Sequence, residues 1–164
     1  MTGCLYVWMM VTYIHIIQFP ALILLMLVTG IFWGTWFSLS RSIAHLSAET
    51  FIENGRVFIK NLAKPMRFIM PLTILFVIAC TLFYPDRASL GFSAVIISLA
   101  LIITTLLITL IVEVPIDNQI KKWTVSTLPP DWRLLRSKWQ LFHTIRTFTS
   151  IGSFILLLAS ALFL

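Results

Sequence analysis

The chain has 164 residues, of which 59% are hydrophobic and 11% are charged, and its mean hydropathy is +0.98. A soluble domain of this size does not need so much apolar side chain, so these values exclude a soluble enzyme or binding module and predict an all-α membrane protein. The net charge of +6 does not indicate nucleic-acid binding, because the sequence offers no soluble basic face with base-reading side chains.

Four apolar runs are each long enough to cross a bilayer, whose hydrocarbon core of ~30 Å needs about 20 helical residues. They predict one domain over residues 1–164, a four-transmembrane-helix bundle. Its spans are expected at about 5–37, 66–84, 90–113 and 140–164. The first run is longer than one span needs and contains Pro20, which predicts a tilt or a kink.

The basic residues predict the orientation of the bundle. Of the 12 Lys and Arg, all but Arg87 lie in the connections between spans one and two or between spans three and four, counting the start of span four. The positive-inside rule assigns these connections to the cytoplasm and both termini to the outside. The sequence therefore predicts an integral protein of a plasma membrane, such as a bacterial inner membrane, with the lipid bilayer as its partner. The first span is expected to remain in the protein and not to be removed as a signal peptide.

Two polar side chains, His15 and Gln18, lie inside the first span at helical spacing. Such groups are costly in lipid unless they turn inward, so they belong either to a functional site or to hydrogen bonds between helices. Nearer the other end of the span, Gly30 and Gly34 form a GxxxG pattern that lets a second helix approach closely. That helix belongs either to this chain or to a second copy, so a homo-oligomer through Gly30 and Gly34 is one predicted partner.

Residues 48–63 are amphipathic and predict a short helix that lies in the membrane interface between spans one and two. Ser47 fits its N-cap, and Pro65 is expected to end it before span two. A tight connection then joins spans two and three as an antiparallel hairpin.

The polar groups of the second half of the chain collect between Glu113 and Ser150. Glu113 ends span three, and Pro115 is expected to break the helix so that Asp117 and Asn118 fold back over its end. A carboxylate at the C-terminal end of a helix is disfavoured by the helix dipole, so it needs a cationic or donor partner.

That partner is predicted on the helix of span four. Arg136, Trp139, His143 and Arg146 follow one another at spacings of three, four and three, which places them on one helix face. We therefore expect Glu113 or Asp117 to pair with Arg146 or His143.

Histidine placement argues against a haem or metal centre. His15 lies about 18 residues from the end of span one that shares the depth of His143, which is ~27 Å along a helix. The two cannot ligate one haem or one metal, and a metal held by His143 with Glu113 or Asp117 would need a further ligand. Neither a cofactor nor a metal site is therefore predicted.

The run Glu-Val-Pro-Ile-Asp-Asn-Gln-Ile from Glu113, then Trp123, then Trp139-x-x-x-His143-x-x-Arg146, resembles the small four-helix membrane family that includes anthrone oxygenases. The glycine-rich stretch Thr29–Gly34 is also similar. The resemblance covers most of the chain, but only these two elements, around Glu113 and around His143, are specific. It implies that Asn118, Trp139, His143 and Arg146 are shared polar positions. It also implies oxidation of an anthrone to an anthraquinone by dioxygen without metal or flavin, although most members have no assigned activity.

Two main interpretations remain open. In the first, the protein oxidises a lipophilic aromatic or quinone-type molecule at the cytoplasmic leaflet, with His143 as base, Arg146 holding the oxyanion and Glu113 orienting His143. The candidate substrate-binding residues are Asn118, Asp117, Trp132, Trp139 and Trp123. In the second, it is a non-catalytic membrane protein that binds lipid or a partner subunit, and the cluster is structural; a small transporter or channel subunit is a third alternative. The enzyme needs an apolar pocket beside His143 and Arg146 that is large enough for a fused ring.

Overall fold

The computed structural model describes the secondary structure of residues 2–163 and the side chains of residues 13–43 and 45–163, and over this range the chain is helical with short connections. Four helical stretches are long and apolar enough to cross a membrane, which confirms the predicted four-helix membrane bundle: Tyr13–Ser40, Ala48–Leu82, Leu90–Ile120 and Trp132–Phe163. Large apolar side chains such as Phe19, Leu90 and Ile111 are mostly exposed on the outside of the bundle. A surface of this kind faces lipid.

The helices are α1 (Thr2–Thr35), α2 (Ala48–Leu82), α3 (Leu90–Ile108), α4 (Val114–Ile120) and α5 (Trp132–Phe163). A π-helical segment, Trp36–Ser40, extends α1, and a second, Thr109–Glu113, joins α3 to α4. Short 3₁₀ turns, Ile43–His45 and Val125–Thr127, lie in the connections. The helices therefore extend well beyond the predicted spans at 66–84, 90–113 and 140–164.

The separate interfacial helix predicted over residues 48–63 is wrong, because α2 runs without interruption through Pro65 and Pro71. Ser47 is its N-cap, as predicted, and accepts a hydrogen bond from the Thr50 backbone N–H. A proline removes one helical hydrogen bond, and within a long packed helix its neighbours compensate for that loss. The apolar face of this segment packs against α4 and α5 rather than against lipid, and its buried members are Phe51, Ile52 and Ile59.

Pro115 does not end the third span either. The helix continues to Ile120, and Pro115 lies in the first turn of α4, immediately after the π-helical segment. Pro115 leaves one carbonyl of the preceding turn without an N–H donor, and the change from π to α geometry at this point allows the helix to continue through it.

Helix α5 packs against both α1 and α3, and α2 packs against the same two helices. The apolar core at mid-depth includes Leu25, Val77, Ile102 and Leu157. Small polar residues hold the helices close together: the hydroxyls of Ser98 and Ser153 each donate to the other residue's backbone carbonyl at 2.8 Å.

Candidate functional site

The inward face of α5 carries the candidate site. Trp139, His143, Thr147 and Ser150 are buried at spacings of four, four and three, so they form one stripe along the helix. This stripe begins at the end of the bundle where α4 connects to α5, which we call the α4–α5 end. The opposite end, where α2 connects to α3, is called the α2–α3 end.

Glu113 and Arg146 form an ion pair that links the π-helical segment after α3 to α5. Arg146 Nη2 lies 3.1 Å from Glu113 Oε2, and the two side chains are 11% and 0% exposed. This confirms the predicted pairing. Neither carboxylate oxygen reaches hydrogen-bonding geometry with a donor among the described residues, so both keep free lone pairs in a buried setting.

Arg146 also contacts His143 on its own helix. Nε and Nη2 of the guanidinium lie 2.9 and 2.7 Å from His143 Nδ1. Guanidinium N–H groups can only donate, so Nδ1 accepts, and a neutral imidazole then carries its proton on Nε2. The Phe32 backbone lies beside the imidazole ring as a weak acceptor, and Nε2, which is buried, makes no hydrogen bond of full geometry among the described residues. His143 therefore presents a buried N–H donor without a well-formed hydrogen bond.

Aromatic rings fix the imidazole from two sides. Trp139 stacks on His143 with ring centroids 4.9 Å apart and an interplanar angle of 6°, and Phe32 meets it edge-on at 6.3 Å. The Arg146 guanidinium lies over the Phe32 ring at 4.6 Å. Trp139 Nε1 donates to Asp117 Oδ1 at 3.1 Å, which connects α4 to the same cluster. Because each ring is held by a partner, the imidazole has one orientation.

Both π-helical segments contact α5 beside this cluster. Thr109, in the second segment, accepts a 3.4 Å hydrogen bond from Arg146 Nη1. In the first segment, Trp36 Nε1 donates to Thr144 Oγ1 at 3.1 Å, and the Ser40 carbonyl accepts from Gln140 Nε2 at 2.7 Å. Such π turns are rare and occur often at functional sites. Two of them beside one cluster therefore support the interpretation of this cluster as a functional site.

The family model for anthrone oxygenases matches residues 60–156, more than half of the chain. This chain belongs to the anthrone oxygenase family. The matched segment contains Glu113, Asp117, Trp139, His143 and Arg146. None of the curated proteins and none of the solved structures compared with the chain matches it.

In this anthrone oxygenase family member, three of the predicted substrate-binding residues make no hydrogen bond or ring contact with His143. Asn118 is exposed and accepts a hydrogen bond from Lys121 Nζ at 3.1 Å. Trp123 is buried in an apolar cluster, where its carbonyl accepts from Arg56. Trp132 packs on Phe51, with the guanidinium groups of Arg133 and Arg136 over its ring. The helix of α4 explains the difference for Asn118, because it turns that side chain outward instead of folding it back.

The site is closed. His143 and Glu113 have no exposed surface, and the cavity that borders Trp139 and Asp117 has a volume of about 30 Å³. Such a space holds about two water molecules and is far too small for a fused ring. The cavity lies between Trp139 and the N-terminal half of α2, against Gly55 and Ile59. This cavity is therefore not the large apolar pocket that the enzyme interpretation requires beside His143.

Sequence reasoning missed Phe32, Trp36 and Gln140 as members of the site. Phe32 continues the buried stripe of Ala21, Leu25 and Val28 at helical spacing, and this periodicity was the signal that pointed inward. Nothing in the sequence indicated the contact of Gln140 with Ser40, because it depends on the π turn.

The intramembrane polar residues of α1 differ in burial. Gln18 is 2% exposed and donates to Ser160 Oγ at 3.5 Å, whereas His15 is exposed. Both line one cavity, so they share a helix face, with His15 at its exposed side. Gly30 and Gly34 are exposed, and a Cβ at either position would meet no described atom within 4 Å. No other helix of the described part of the chain approaches Gly30 or Gly34 closely. No group of three or more metal-ligating side chains occurs in the described part of the chain.

Proposed function

We propose that this family member oxidises a lipophilic, electron-rich aromatic molecule of the anthrone type with dioxygen, using Glu113, His143 and Arg146. The observation that carries the proposal is the pairing of a buried carboxylate with free lone pairs and a buried imidazole whose N–H makes no well-formed hydrogen bond among the described residues. Unused polar groups of this kind cost folding free energy, so their persistence supports a role in binding or chemistry.

The proposed chemistry starts with proton removal from the ring CH₂ of the substrate. A Glu113 oxygen accepts this proton, the resulting oxyanion accepts a hydrogen bond from His143 Nε2, and Arg146 supplies positive charge. This exchanges the roles predicted from sequence, because Nδ1 of His143 is already occupied by Arg146 and its Nε2 donates rather than accepts.

Dioxygen then adds to the carbanion and gives a hydroperoxide, which loses water. The CH₂ becomes a C=O that keeps one oxygen atom, and the second oxygen leaves as water with both hydrogens of the CH₂. The carbon gives up four electrons and dioxygen takes up four, so the reaction balances with substrate, dioxygen and the residues of this chain. His143 and Arg146 stabilise the charge that develops on the substrate oxygen.

Substrate access requires the helices to part. The small cavity between α2 and Trp139 marks the side on which we expect the site to open, because most of its walls are apolar side chains. A flat aromatic substrate can replace the contact between Trp139 and His143, since a ring-on-ring contact of similar geometry is regained.

The same proposal includes the topology. Basic side chains crowd the α4–α5 end, among them Lys60, Lys64, Lys121 and Lys122. By the positive-inside rule this end lies in the cytoplasm, the termini lie outside, and the reaction takes place at the cytoplasmic leaflet of a plasma membrane. A second copy of the chain at Gly30 and Gly34 is the proposed protein partner.

A specific observation favours the non-catalytic alternative: the Glu113–Arg146 pair is largely buried and connects the π-helical segment after α3 to α5, as a structural clamp would. Binding of lipid or of a partner subunit would then be the function. The two alternatives differ in whether His143 can be changed without loss of the fold.

The test uses purified protein in lipid nanodiscs with anthrone, measuring oxygen uptake and anthraquinone absorbance above the rate with empty nanodiscs. We expect His143→Leu to lower the protein-dependent rate about 100-fold, which is typical for the loss of one oxyanion donor. His45→Leu, which changes an exposed histidine outside the Glu113–His143–Arg146 cluster, is the matched control. Wild-type protein that does not exceed empty nanodiscs with anthrone or 1,8-dihydroxyanthrone would contradict the proposal.

A further inference from the structure

A second cavity lies at the α2–α3 end of the bundle, with a volume of about 400 Å³. Its polar wall includes His15 and Gln18 from α1, Tyr84 and Asp86 from the α2–α3 connection, and Ser160 from α5. Ser160 follows His143 by 17 residues on one helix, which is about 25 Å. The cavity is therefore separate from the candidate active site.

Hydrogen bonding fixes the orientation of the Gln18 amide. Ser160 Oγ lies 3.1 Å from the Gly91 carbonyl, which can only accept, so the Ser160 hydroxyl proton is used there. Ser160 Oγ must then accept from Gln18, at 3.5 Å, and this contact assigns Nε2 to the Ser160 side. The hydroxyl of Tyr84 lies 3.3 Å from the same Oγ and completes the network.

The carbonyl oxygen of Gln18 is consequently left without a donor. Gln18 is 2% exposed, and its Oε1 is buried and unpaired among the described residues. A buried acceptor without a partner costs ~1–3 kcal/mol, and a ligand with a donor group removes that cost. Gln18 is part of the cavity wall, and its Oε1, which lies just beneath the surface of that wall, is the acceptor that the donor group of a ligand would satisfy.

The rest of the wall indicates what carries that donor. Ile14, Leu162 and Phe163 give the cavity an apolar side, and the carboxylate of Asp86 at its rim disfavours an anionic ligand. The volume falls within the range of small-molecule sites. We propose that this cavity binds a lipophilic molecule with a hydroxyl head, whose O–H donates to Gln18 Oε1 and whose hydrocarbon body lies against Ile14 and Leu162.

The test compares two probes, tritiated 4-octylphenol and its methyl ether 4-octylanisole, on wild-type protein in phosphatidylcholine nanodiscs. The probes share body and oxygen, but only the phenol donates a hydrogen bond. After subtraction of retention by empty nanodiscs, we expect the phenol to bind about tenfold more tightly than the ether. Gln18→Leu should reduce phenol binding to the level of the ether, and Gln119→Leu, which changes an exposed glutamine of α4, should leave it unchanged.

Equal binding of the phenol and the ether to wild-type protein would overturn the proposal, as would an unchanged preference in Gln18→Leu. If Gln18→Leu does not fold, Ala161→Phe serves instead, because it fills the cavity from the exposed end of α5 and should lower binding of the phenol. Retained phenol binding in that variant would also count against the site. None of these measurements uses the oxidation assay, so this proposal and the proposed function can fail independently.

Discussion

Arg146 donates to Nδ1 of His143, three residues earlier on the same helix, while its Nη2 lies 3.1 Å from Glu113 on the facing helix. One guanidinium thus sets the tautomer of the histidine and balances the charge of the carboxylate. The two groups that we propose for chemistry are therefore coupled through a third, and a change to any one of the three alters the surroundings of the other two.

The first prediction concerns the charge balance of this pair. Glu113→Gln leaves Arg146 buried without its counter-charge, so we expect a loss of about 3–5 kcal/mol in the free energy of unfolding. The double variant Glu113→Gln with Arg146→Met removes both charges and should recover most of that stability. Unfolding in mixed micelles with increasing SDS measures both. A double variant no more stable than Glu113→Gln would show that the pair does not act as a unit.

The second prediction concerns the Trp139 indole. Trp139→Phe keeps a ring against His143 but removes the N–H that donates to Asp117, so we expect a loss of about 1 kcal/mol in the free energy of unfolding. Trp139→Leu also removes the stacked ring and should cost about 3 kcal/mol or more. The same SDS titration separates the two. Equal losses would assign the whole effect to packing and none to the hydrogen bond.

Some of this site could be predicted from the sequence because helical spacing is a local property. Trp139, His143 and Arg146 share a face of α5 for that reason, and the cost of an unpaired carboxylate at a helix end pointed to Glu113 as the partner of Arg146. The resemblance to anthrone oxygenases rested on the same residues and is confirmed by the family match.

The features of the fold and site that could not be predicted depend on where the helices end. Neither the positions of the prolines nor the hydropathy of the chain determines these ends. Pro65 and Pro115 were both expected to end a helix, and both lie inside continuous helical stretches. The direction of Asn118 was wrong for the same reason, since it follows from helix continuation past Pro115. The π turns depend on packing against α5, and sequence periodicity does not reveal them.

The third prediction tests the continuity of α2. In a continuous helix, Pro65 lacks the N–H that would donate to the Asn61 carbonyl, so Pro65→Ala should raise the free energy of unfolding by about 1 kcal/mol. Amide hydrogen exchange across residues 61–69 should also slow. If α2 instead broke at Pro65, alanine there would join two helices and alter their relative position, and exchange at the Ser47 cap would change as well. Pro71→Ala is the matched comparison within the same helix.

The fourth prediction separates the fold of one chain from association between chains. A Cβ at Gly34 meets no described atom within 4 Å, whereas a Cβ at Gly152 lies 3.2 Å from Leu101 Cδ1. Gly34→Leu should therefore leave the free energy of unfolding of the single chain unchanged, while Gly152→Leu should lower it because its side chain overpacks against α3. If a second copy packs on Gly30 and Gly34, Gly34→Leu should also abolish energy transfer between donor- and acceptor-labelled chains in vesicles, and Gly34→Ala should only weaken it. Transfer that is equal in wild type and Gly34→Leu would exclude this face as the contact, and the glycines would then be an exposed surface toward lipid.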